Sequence, residues 1–500
     1  MSSTLDEIYA RKKKDNGQAK IAEAQKRRYI EEEMKNLGLS TEEYQEFLDK
    51  RDSYKPTLFD VNLALDDFVV NETHNRLALF TAFIMSKIPV YISGNSASGK
   101  SNLQQSVVNL VMPSDALILE GSSDKAIFDQ VYQIKKAKYL VIREINKINP
   151  MLVEILKSMG ENQPFIYRRA GGLGSKLSEI EIPPRVFCFS KADDSTDISI
   201  PTELMSRVVE LVADGSQEQT KNVLSRKALD HENPFDIQQV DMVKRAMLRY
   251  HISSAPDYDV YINPMSTKLI DSIPTVFTSS RRDYIKYLTN IGGVARYHFK
   301  DRIEAIIQDK RVLFVSPQDV FINALIFNKV LVQSSLRCSD LERFIIQVIK
   351  DGGSLSKQQV QIGLRDLSLN YTKKIINIHL EHLEDIGYIE STKEGSTLYY
   401  TVSNFYNEFS MKMNFREIVD YCIETMRSVE HYKPYCDEYI NRYCTDDKLF
   451  VIDPFSGKTI NMLEYDFTSP LEVDLSGTRM KRIDEVETVK KRPVNLTDFM

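Results

Sequence analysis

Tryptophan is absent from this chain of 500 residues, and only five of its residues are cysteine. Five scattered cysteines are too few for a disulfide framework, which excludes a disulfide-stapled secreted domain and fits a reducing compartment. No apolar run approaches the roughly 18 residues of a membrane-spanning helix. The N-terminal stretch MSSTLDEIYARKKK has no apolar segment after its basic cluster, so it does not fit a secretory signal. We therefore expect a cytoplasmic protein with no membrane partner.

Positive charges are slightly fewer than negative charges overall. The chain carries 65 lysines and arginines against 71 aspartates and glutamates, which gives a formal net charge of −6. Any binding of nucleic acid must therefore come from local basic patches rather than from a global field. The content of 42% hydrophobic and 27% charged residues is that of an ordinary globular protein. The length suggests about three domains at roughly 150 residues each.

The pattern along the chain changes several times. Residues 1–53 are dense in charge and poor in apolar residues, which predicts a solvated helical arm. In residues 60–215, helix-like segments alternate with four strand-like ones, PVYISG, ALILEG, KYLVIRE and RVFCFS. This alternation predicts an α/β fold with a parallel sheet and helices on both faces. Residues 216–335 are mostly helical by pattern, residues 338–405 form a separate small unit, and residues 406–500 form an extension that begins with a helix.

The stretch VYISGNSASGKSNL, residues 90–103, has the spacing G-x-x-x-x-G-K-[ST] between a predicted strand and a predicted helix. The backbone N–H groups of such a loop point at phosphate, and the helix N-terminus adds its positive dipole. Lys100 would reach the outer phosphates and the Ser101 hydroxyl would ligate Mg²⁺. The sequence therefore predicts a site for ATP and Mg²⁺. Its candidate residues are Gly94, Asn95, Ser96, Ala97, Ser98, Gly99, Lys100, Ser101 and Asn102.

The third predicted strand, in KYLVIREINKI, ends in Arg143 and Glu144. A strand at this place in a nucleotide-hydrolysing site usually ends in two acids, one for the metal and one that polarises the attacking water. Glu144 fits the second role and Arg143 replaces the first acid. If the register is shifted, Glu144 becomes the metal acid and Ile145 replaces the base. One carboxylate is missing in either case, so ATP binding is predicted and efficient hydrolysis is left open.

These motifs resemble the AAA+ ATPases of the clade that holds the MCM-type replicative helicases and the phage primase-helicases. The resemblance covers about Asp60 to Val402, through the phosphate loop and the runs RVFCFSKAD, PTELMSRVVEL, DGSQEQTKNVLSRKA and SSRRDYIKYL. It implies an AAA+ core with a helical lid over residues 216–335, and assembly into a ring, with a hexamer as the expected form. It also implies that Ser190 senses the γ-phosphate and that Arg207 is an arginine finger offered to the neighbouring subunit. Arg282, or else Arg281, would be the second sensor.

A hairpin with a basic tip is predicted between the third and fourth strands, in QPFIYRRAGGLGSKLSEIEIPPRV. Arg168, Arg169 and Lys176 flank glycines that permit positive φ at the tip. In the resembled clade such a hairpin projects into the channel of the ring and grips single-stranded DNA. Contacts of this kind go to phosphates and do not read sequence. The alternative is a solvent-exposed hairpin without a ligand.

Residues 338–405 fit a C-terminal winged-helix domain of three helices and two strands. The stripe Ile375, Ile378, Leu380 and Leu383 on the third helix is predicted to face the core. A module of this kind places its third helix in the major groove of duplex DNA. The candidate DNA-binding residues are Asn370, Tyr371, Lys373, Lys374 and, in the wing, Lys393. The acidic residues of the same helix leave docking to a protein as the alternative.

The C-terminal peptide RPVNLTDFM resembles the tail by which replication proteins bind a sliding clamp, with Leu496, Phe499 and Met500 as anchors. Cys422, Cys436 and Cys444 do not have the paired spacing of a zinc site, so we expect thiols.

Three functions remain open from the sequence. The first is an ATP-dependent DNA helicase or translocase that acts in DNA replication and associates with the nucleoid. The second is an ATP-gated, DNA-binding initiator or loader with little hydrolysis, which Arg143 favours. The third is an AAA+ remodeller of protein complexes.

Overall fold

The computed structural model describes residues 24–25, 27–32, 38–94, 98–120, 124–145, 150–169, 178–191, 200–232, 241–273, 280–336, 338, 340–367, 369, 371–403 and 412–467. They divide into two compact units. The first contains the described residues up to Asp214, those from Asn222 through residue 336, and 412–467; the second contains 215–221 and 338–403. Across the described ranges, no helix combines the length and the apolar character needed to cross a lipid bilayer.

A parallel sheet of five strands lies at the centre of the first unit. The first seven strands of the chain are β1 (Val90–Ser93), β2 (Ala116–Leu119), β3 (Tyr139–Ile142), β4 (Phe165–Arg169), β5 (Ser178–Ile182), β6 (Val186–Ser190) and β7 (Val209–Val212). The sheet has the order β2-β3-β6-β1-β7, and every pairing in it is parallel. The predicted α/β fold with a parallel sheet is confirmed. The sequence analysis identified four of the five strands and missed β7.

Eight helices of the described residues precede or separate these strands, and several of them pack an apolar stripe against the sheet. They are α1 (Thr41–Lys50), α2 (Leu58–Asp66), α3 (Thr73–Leu79, extended by a π-helix over Phe80–Met85), α4 (Lys100–Val108), α5 (Asp124–Asp129), α6 (Val131–Lys136), α7 (Pro150–Gly160) and α8 (Thr202–Met205). Helix α7 shows the pattern, since Leu152, Ile155, Leu156 and Met159 recur at helical spacing and are all buried. They share one hydrophobic cluster with Leu140 and Phe187 of the sheet. Burial of such a stripe is the main source of stability for a helix of this length.

The N-terminal segment differs from the expected solvated arm in the part that is described. Helix α1 begins with a capping box between Ser40 and Glu43, and its Phe47 is fully buried. The ring of Phe47 meets Tyr250 edge-on, with centroids 5.7 Å apart. These residues and Ile30 belong to one buried cluster. Sparse apolar residues were therefore enough to dock this segment on the unit.

The middle of the chain contains helices and a second, small sheet. The helices are α9 (Gln217–Glu232), α10 (Met242–Ser254), α11 (Ser266–Leu269), α12 (Ser280–Tyr297) and α13 (Pro317–Leu336), and the strands are β8 (Val260–Ile262), β9 (Glu304–Ile307) and β10 (Lys310–Phe314). The sheet order is β8-β10-β9, with β8 parallel to β10. The helical pattern predicted for residues 216–335 holds, but these three short strands were not foreseen.

Residues 412–467 also pack into the first unit. They form α17 (Phe415–Ser428), α18 (Lys433–Tyr443) and the hairpin of β14 (Phe450–Ile452) with β15 (Thr459–Asn461). Phe321 of α13 meets Phe415 and Phe467 edge-to-face, and the Tyr439 hydroxyl donates to the Val315 carbonyl at 2.6 Å. All five cysteines of the chain lie among the described residues and are buried. Short 3₁₀ turns lie at Pro113–Asp115, Ile270–Ser272, Phe299–Asp301, Glu430–Tyr432 and Asp446–Lys448.

The second unit is built from three helices and a three-stranded antiparallel sheet. Its elements are α14 (Asp340–Gly352), β11 (Leu355–Ser356), α15 (Lys357–Asp366), α16 (Lys373–Asp385), β12 (Ile389–Glu394) and β13 (Thr397–Val402), with the sheet order β11-β13-β12. The predicted core stripe of α16 was wrong for two of its four residues. Ile376, Leu380 and Leu383 are fully buried, whereas Ile375 is 39% and Ile378 is 54% exposed. The buried set follows the i, i+4, i+7 spacing of one helix face.

Candidate nucleotide site

The phosphate loop joins the buried end of β1 to the first turn of α4. Gly94 follows β1 with a φ of +137°, and Gly99 precedes α4 with a φ of +91°. A Cβ on Gly94 would lie 3.0 Å from Ser98 Oγ and 3.2 Å from Ala213 Cβ. Both the backbone angle and the close packing therefore require glycine at residue 94. Asn95, Ser96 and Ala97 lie outside the described residues.

Lys100 occupies the place that a phosphate-binding lysine needs. It is the first residue of α4, it is only 7% exposed, and its amine donates to the carbonyl of Gly94. The next two residues, Ser101 and Asn102, are exposed on the first turn. The N-terminus of α4 adds backbone N–H groups and a positive dipole at the same point. Lys100 and the N-terminus of α4 thus place positive charge together at the end of the loop.

Two buried hydroxyls near this loop have no hydrogen-bond partner among the described residues, namely Ser98 Oγ and Ser190 Oγ. Ser190 ends β6 and pairs in register with Ile92 of β1, so it lies beside the start of the loop. A buried polar atom without a partner costs about 1 to 3 kcal/mol. Such atoms call for a specific explanation, and a ligand with oxygen acceptors would provide one here.

A buried carboxylate supports the loop from the other side. Glu72 accepts a hydrogen bond from the Asp214 backbone amide at 2.7 Å, and Asn75 donates both to Glu72 and to the Val212 carbonyl. Burial raises the pKa of Glu72 above its ordinary value, although its hydrogen bonds act in the opposite direction. These contacts hold the end of β7, and with it Ala213, against Gly94. The sequence patterns did not indicate these contacts of Glu72 and Asn75.

Arg143 projects toward α4 at the carboxyl end of β3. Its Nη2 donates to Gln105 Oε1 at 2.7 Å, and its Nη1 pairs with Glu120 Oε1 at 2.7 Å. Gln105 lies one helical turn after Ser101, and side chains four residues apart on a helix are neighbours, at about 5 to 6 Å. The guanidinium therefore contacts the face of α4 that carries the side chain expected to hold Mg²⁺, one helical turn away from it.

The residues around Ser101 fit Mg²⁺ poorly. A metal held by a phosphate loop usually has a carboxylate at the end of the neighbouring strand, and the side chain at that end is Arg143. Glu120 is the nearby acid, and its carboxylate is paired with the same arginine. Within the described ranges, no group of three or more His, Cys, Asp or Glu side chains could hold a metal ion.

Glu144 lies at the carboxyl edge of the sheet and is exposed. The amides on either side of it are fixed, because Arg143 N donates to Leu119 O at 3.0 Å and Ile145 N donates to Ser190 O at 2.8 Å. Ile145 is fully buried, so the shifted register places an aliphatic core residue where the base would be. The role of Glu144 in polarising water stays a prediction.

Arg207 and Arg282 lie near the amino ends of the strands, whereas the phosphate loop lies at the carboxyl ends. Val209 pairs with Val90 and its amide bonds to Pro89 O, so β7 begins level with β1. Because the strands are parallel, Arg207 lies at their amino ends, at least about 10 Å of strand from the loop at the carboxyl ends. Arg282 Nη1 donates to the Ser206 hydroxyl. Neither side chain is therefore placed to serve the phosphate loop of its own chain.

Arg207 is held by two carboxylates of the same chain. Its Nε donates to Glu161 at 3.0 Å and its Nη2 pairs with Glu203 at 3.3 Å. The side chain is only 10% exposed, and its Cβ lies where a side chain on Gly160 would clash, at 3.3 Å. These contacts keep the arginine ordered at the surface.

Strands β4 and β5 form the predicted hairpin. They pair from Phe165 with Ile182 to Arg169 with Ser178. Arg168 is exposed, and its Nε donates to Glu179 directly opposite at 3.1 Å. The tip with Lys176, and the side chain of Arg169, lie outside what is described. The hairpin itself is confirmed, while DNA contact remains a prediction.

In the second unit the candidate DNA-binding lysines are exposed. Lys373 and Lys374 begin α16 after the cap at Thr372, and Lys393 lies near the end of β12. Tyr371 is half-buried and its carbonyl accepts from Gln361 at 3.0 Å. Asn370, like the tail residues Leu496, Phe499 and Met500, lies outside the described residues. The carboxyl half of α16 exposes Glu381, Glu384 and Asp385, so positive charge is confined to its first turn.

No protein-family model matches the chain, and no curated protein matches it in sequence. Among solved structures, it is similar to a candidate ATPase from Cytophaga hutchinsonii, with 13% identity, 55% of this chain and 86% of that chain covered, and a TM-score of 0.32. It is also similar to a full-length MCM homolog from Methanopyrus kandleri, with 12% identity, 58% and 61% covered, and a TM-score of 0.34. The chain thus spans less than two thirds of that homolog. At these scores the likeness is coarse.

Proposed function

We propose that the protein is an ATP-binding protein of the AAA+ type that acts on DNA in replication, with nucleotide binding rather than rapid turnover as its working step. The observation that carries this proposal is the phosphate loop at the carboxyl end of β1, with Lys100 buried in it. In open parallel sheets, ligands bind outside the carboxyl ends of the strands. The sheet order, with β1 between β6 and β7, agrees with the resemblance seen in the sequence.

The replacement of the metal acid by Arg143 supports slow turnover. Phosphoryl transfer depends on positioning and on neutralising developing charge, and a divalent metal normally contributes much of that. The guanidinium contacts Gln105, one helical turn from Ser101, and pairs with Glu120. We therefore expect the protein to hold ATP well and to hydrolyse it slowly.

The DNA-binding part of the proposal rests on two sets of basic residues. One is the hairpin of β4 and β5 with Arg168, Arg169 and Lys176, which we assign to single-stranded DNA. The other is the second unit, which we interpret as a winged-helix domain with Lys373, Lys374 and Lys393 toward duplex DNA. Phosphate-driven binding weakens steeply with salt, so DNA affinity measured from 50 to 200 mM salt tests it. Absence of DNA binding even at low salt would instead support a remodeller of protein complexes.

The direct test is steady-state ATP hydrolysis with and without single-stranded DNA, alongside ATP binding. For the intact protein we expect tight ATP binding and slow turnover, and for Lys100→Ala neither. Arg143→Asp should raise turnover. An intact protein that fails to bind ATP at all would refute the assignment.

A ring-forming helicase or translocase is the second candidate, and the placement of Arg207 and Arg282 favours it. Both arginines lie at the amino edge of the sheet, where a neighbouring subunit in a hexameric ring would meet them. Turnover by the intact protein that rises strongly with single-stranded DNA, and that is lost in Arg207→Ala, would decide for this function. The clamp-binding tail at Leu496, Phe499 and Met500 stays a proposal, tested by removing those residues and measuring clamp binding.

A further inference from the structure

The side chain at the metal position is a cation that the fold holds in place. Gln105 accepts from Arg143, and the Gln105 amide is itself oriented because its Nε2 donates to Asn109 Oδ1 at 3.0 Å. Gln104, the preceding residue of α4, donates to the Ile142 carbonyl at 3.3 Å and so ties the helix to the end of β3. Arg143 is thus fixed relative to the loop by contacts on both of its neighbouring elements.

The ion pair of Arg143 leaves the guanidinium able to take a further acceptor. Gln105 and Glu120 use two of the five N–H donors that an arginine carries. Glu120 is 67% exposed on its side chain and Arg143 is 30% exposed, so water screens this pair and its strength is small. Phosphate is a doubly or multiply charged acceptor that suits the planar fork of arginine. A phosphate oxygen can therefore replace Glu120 at low cost.

We propose that the nucleotide bound by this loop is the metal-free form, with the Arg143 guanidinium supplying the positive charge that Mg²⁺ supplies elsewhere. The proposal deepens the function proposed above and rests on the same loop. A divalent cation near Ser101 would meet the positive charge of Arg143, and Glu120, the carboxylate that faces Arg143, is already paired with it. Metal-free ATP or ADP meets Lys100, Arg143 and the N-terminus of α4 without that conflict.

The test is the affinity for a fluorescent ATP analogue, measured by titration in EDTA and again in excess Mg²⁺. For the intact protein we expect binding in EDTA to be at least about tenfold tighter than in excess Mg²⁺, because Mg²⁺ converts the analogue to a metal complex that the charge of Arg143 repels. For Arg143→Gln, affinity in EDTA should fall at least about tenfold, the size of one charge-assisted hydrogen bond. Arg143→Lys should recover part of that loss. Arg416→Gln, which removes an exposed arginine of α17, is the matched control and should change neither constant.

Arg143→Asp should convert the site to a metal-dependent one, with binding in Mg²⁺ at least about tenfold tighter than in EDTA. Because the new carboxylate would face Glu120, the same comparison is made with Arg143→Asp combined with Glu120→Arg, which keeps the two charges opposite. Glu120→Gln should tighten binding in EDTA, because it removes the group that competes with phosphate.

The outcomes separate this inference from the proposed function. Binding that depends on Lys100 but is equally tight or tighter in Mg²⁺ for the intact protein would overturn the inference and leave the nucleotide site standing. Equal loss in EDTA and in Mg²⁺ for Arg143→Gln would also overturn it, since that pattern marks a structural role. Failure of the intact protein to bind the analogue under both conditions would refute the nucleotide site itself.

Discussion

Replacing Asp319 by asparagine should lower the free energy of unfolding of the first unit by about 3 to 5 kcal/mol at neutral pH, the cost of breaking a buried ion pair from one side. Asp319 is fully buried at the first turn of α13. Arg302 donates to it through Nε at 2.6 Å and through Nη2 at 2.7 Å, and the Ser316 amide donates at 3.0 Å. Asparagine keeps the shape but leaves the buried guanidinium of Arg302 without a counter-charge.

The same site predicts how the loss depends on pH. Burial by itself would raise the pKa of Asp319, but the charge of Arg302 and the donors from His298 and Arg302 outweigh burial and hold the pKa well below its ordinary value. An aspartate with a depressed pKa contributes its full stability above the unfolded-state pKa, near 4. The contribution is lost as the pH falls through the folded-state pKa. The difference between the intact protein and Asp319→Asn should therefore be constant from about pH 5 to 8 and shrink below about pH 4.

Urea unfolding of the full chain, followed by circular dichroism at several pH values, measures this difference. Asp446→Asn is the matched control, because Asp446 pairs with Arg416 on the surface, where ion pairs contribute little. Combining Asp319→Asn with Arg302→Met removes the uncompensated charge and should recover much of the loss. A loss below about 1 kcal/mol for Asp319→Asn at pH 7 would refute the reasoning, because it would mean that water reaches Arg302 in the folded state.

Three further predictions concern other parts of the first unit. Burial lowers the pKa of His251 from 6.5 to about 4, so the folded state favours the neutral ring. The free energy of unfolding should therefore fall by roughly 2 kcal/mol from pH 6.5 to 5. In urea unfolding, His251→Gln should flatten this dependence on pH. Gly94→Ala should abolish binding of the ATP analogue, since the added Cβ would meet Ser98 and Ala213. The Cβ of Gly99→Ala would meet no atom within 4 Å, so this variant should weaken binding only through backbone strain. Equal effects of the two variants would contradict this reasoning. If Arg207 acts across a head-to-tail contact between subunits, mixing inactive Lys100→Ala and Arg207→Ala subunits in equal amounts should restore hydrolysis at about one interface in four. No recovery of hydrolysis after exchange of subunits would contradict a role of Arg207 in trans.

The sequence predicted those strands whose apolar runs are long enough to be recognised and are bounded by clear turns. β1, β2, β3 and β6 each follow this description. β7 was missed because Glu210 interrupts the apolar run VELV, which also adjoins the run that resembles an arginine finger. The strands β8, β9 and β10 have three to five residues each, too few for an alternation to be distinguished from a helix. On α16, two isoleucines were assigned to the core because periodicity alone does not decide which of two overlapping stripes is buried.

For the site, the sequence predicted the residues whose spacing is itself the motif. Gly94 and Lys100 lie where the spacing placed them, and Ser190 lies beside β1. The partners of Arg143 could not be read in this way, because they depend on register. Leu119 pairs with Ile142, which brings Glu120 beside Arg143 across the sheet, and Gln105 is set by how α4 packs. Two residues more than twenty positions apart in sequence thus become neighbours only through the parallel pairing.

The polarity of the sheet explains why one chain of this protein would be an incomplete ATPase. The phosphate loop and Glu144 lie at the carboxyl ends of the strands, and Arg207 and Arg282 lie at the amino ends. A head-to-tail contact between copies joins these two edges, and such a contact closes into a ring when the rotation per subunit allows it. Arg207 would then have to exchange Glu161 and Glu203 for the phosphates of the neighbour. On the proposed function, a nucleotide bound by the neighbouring subunit would favour this exchange of partners by Arg207. Nucleotide binding and assembly of the subunits would then stabilise each other.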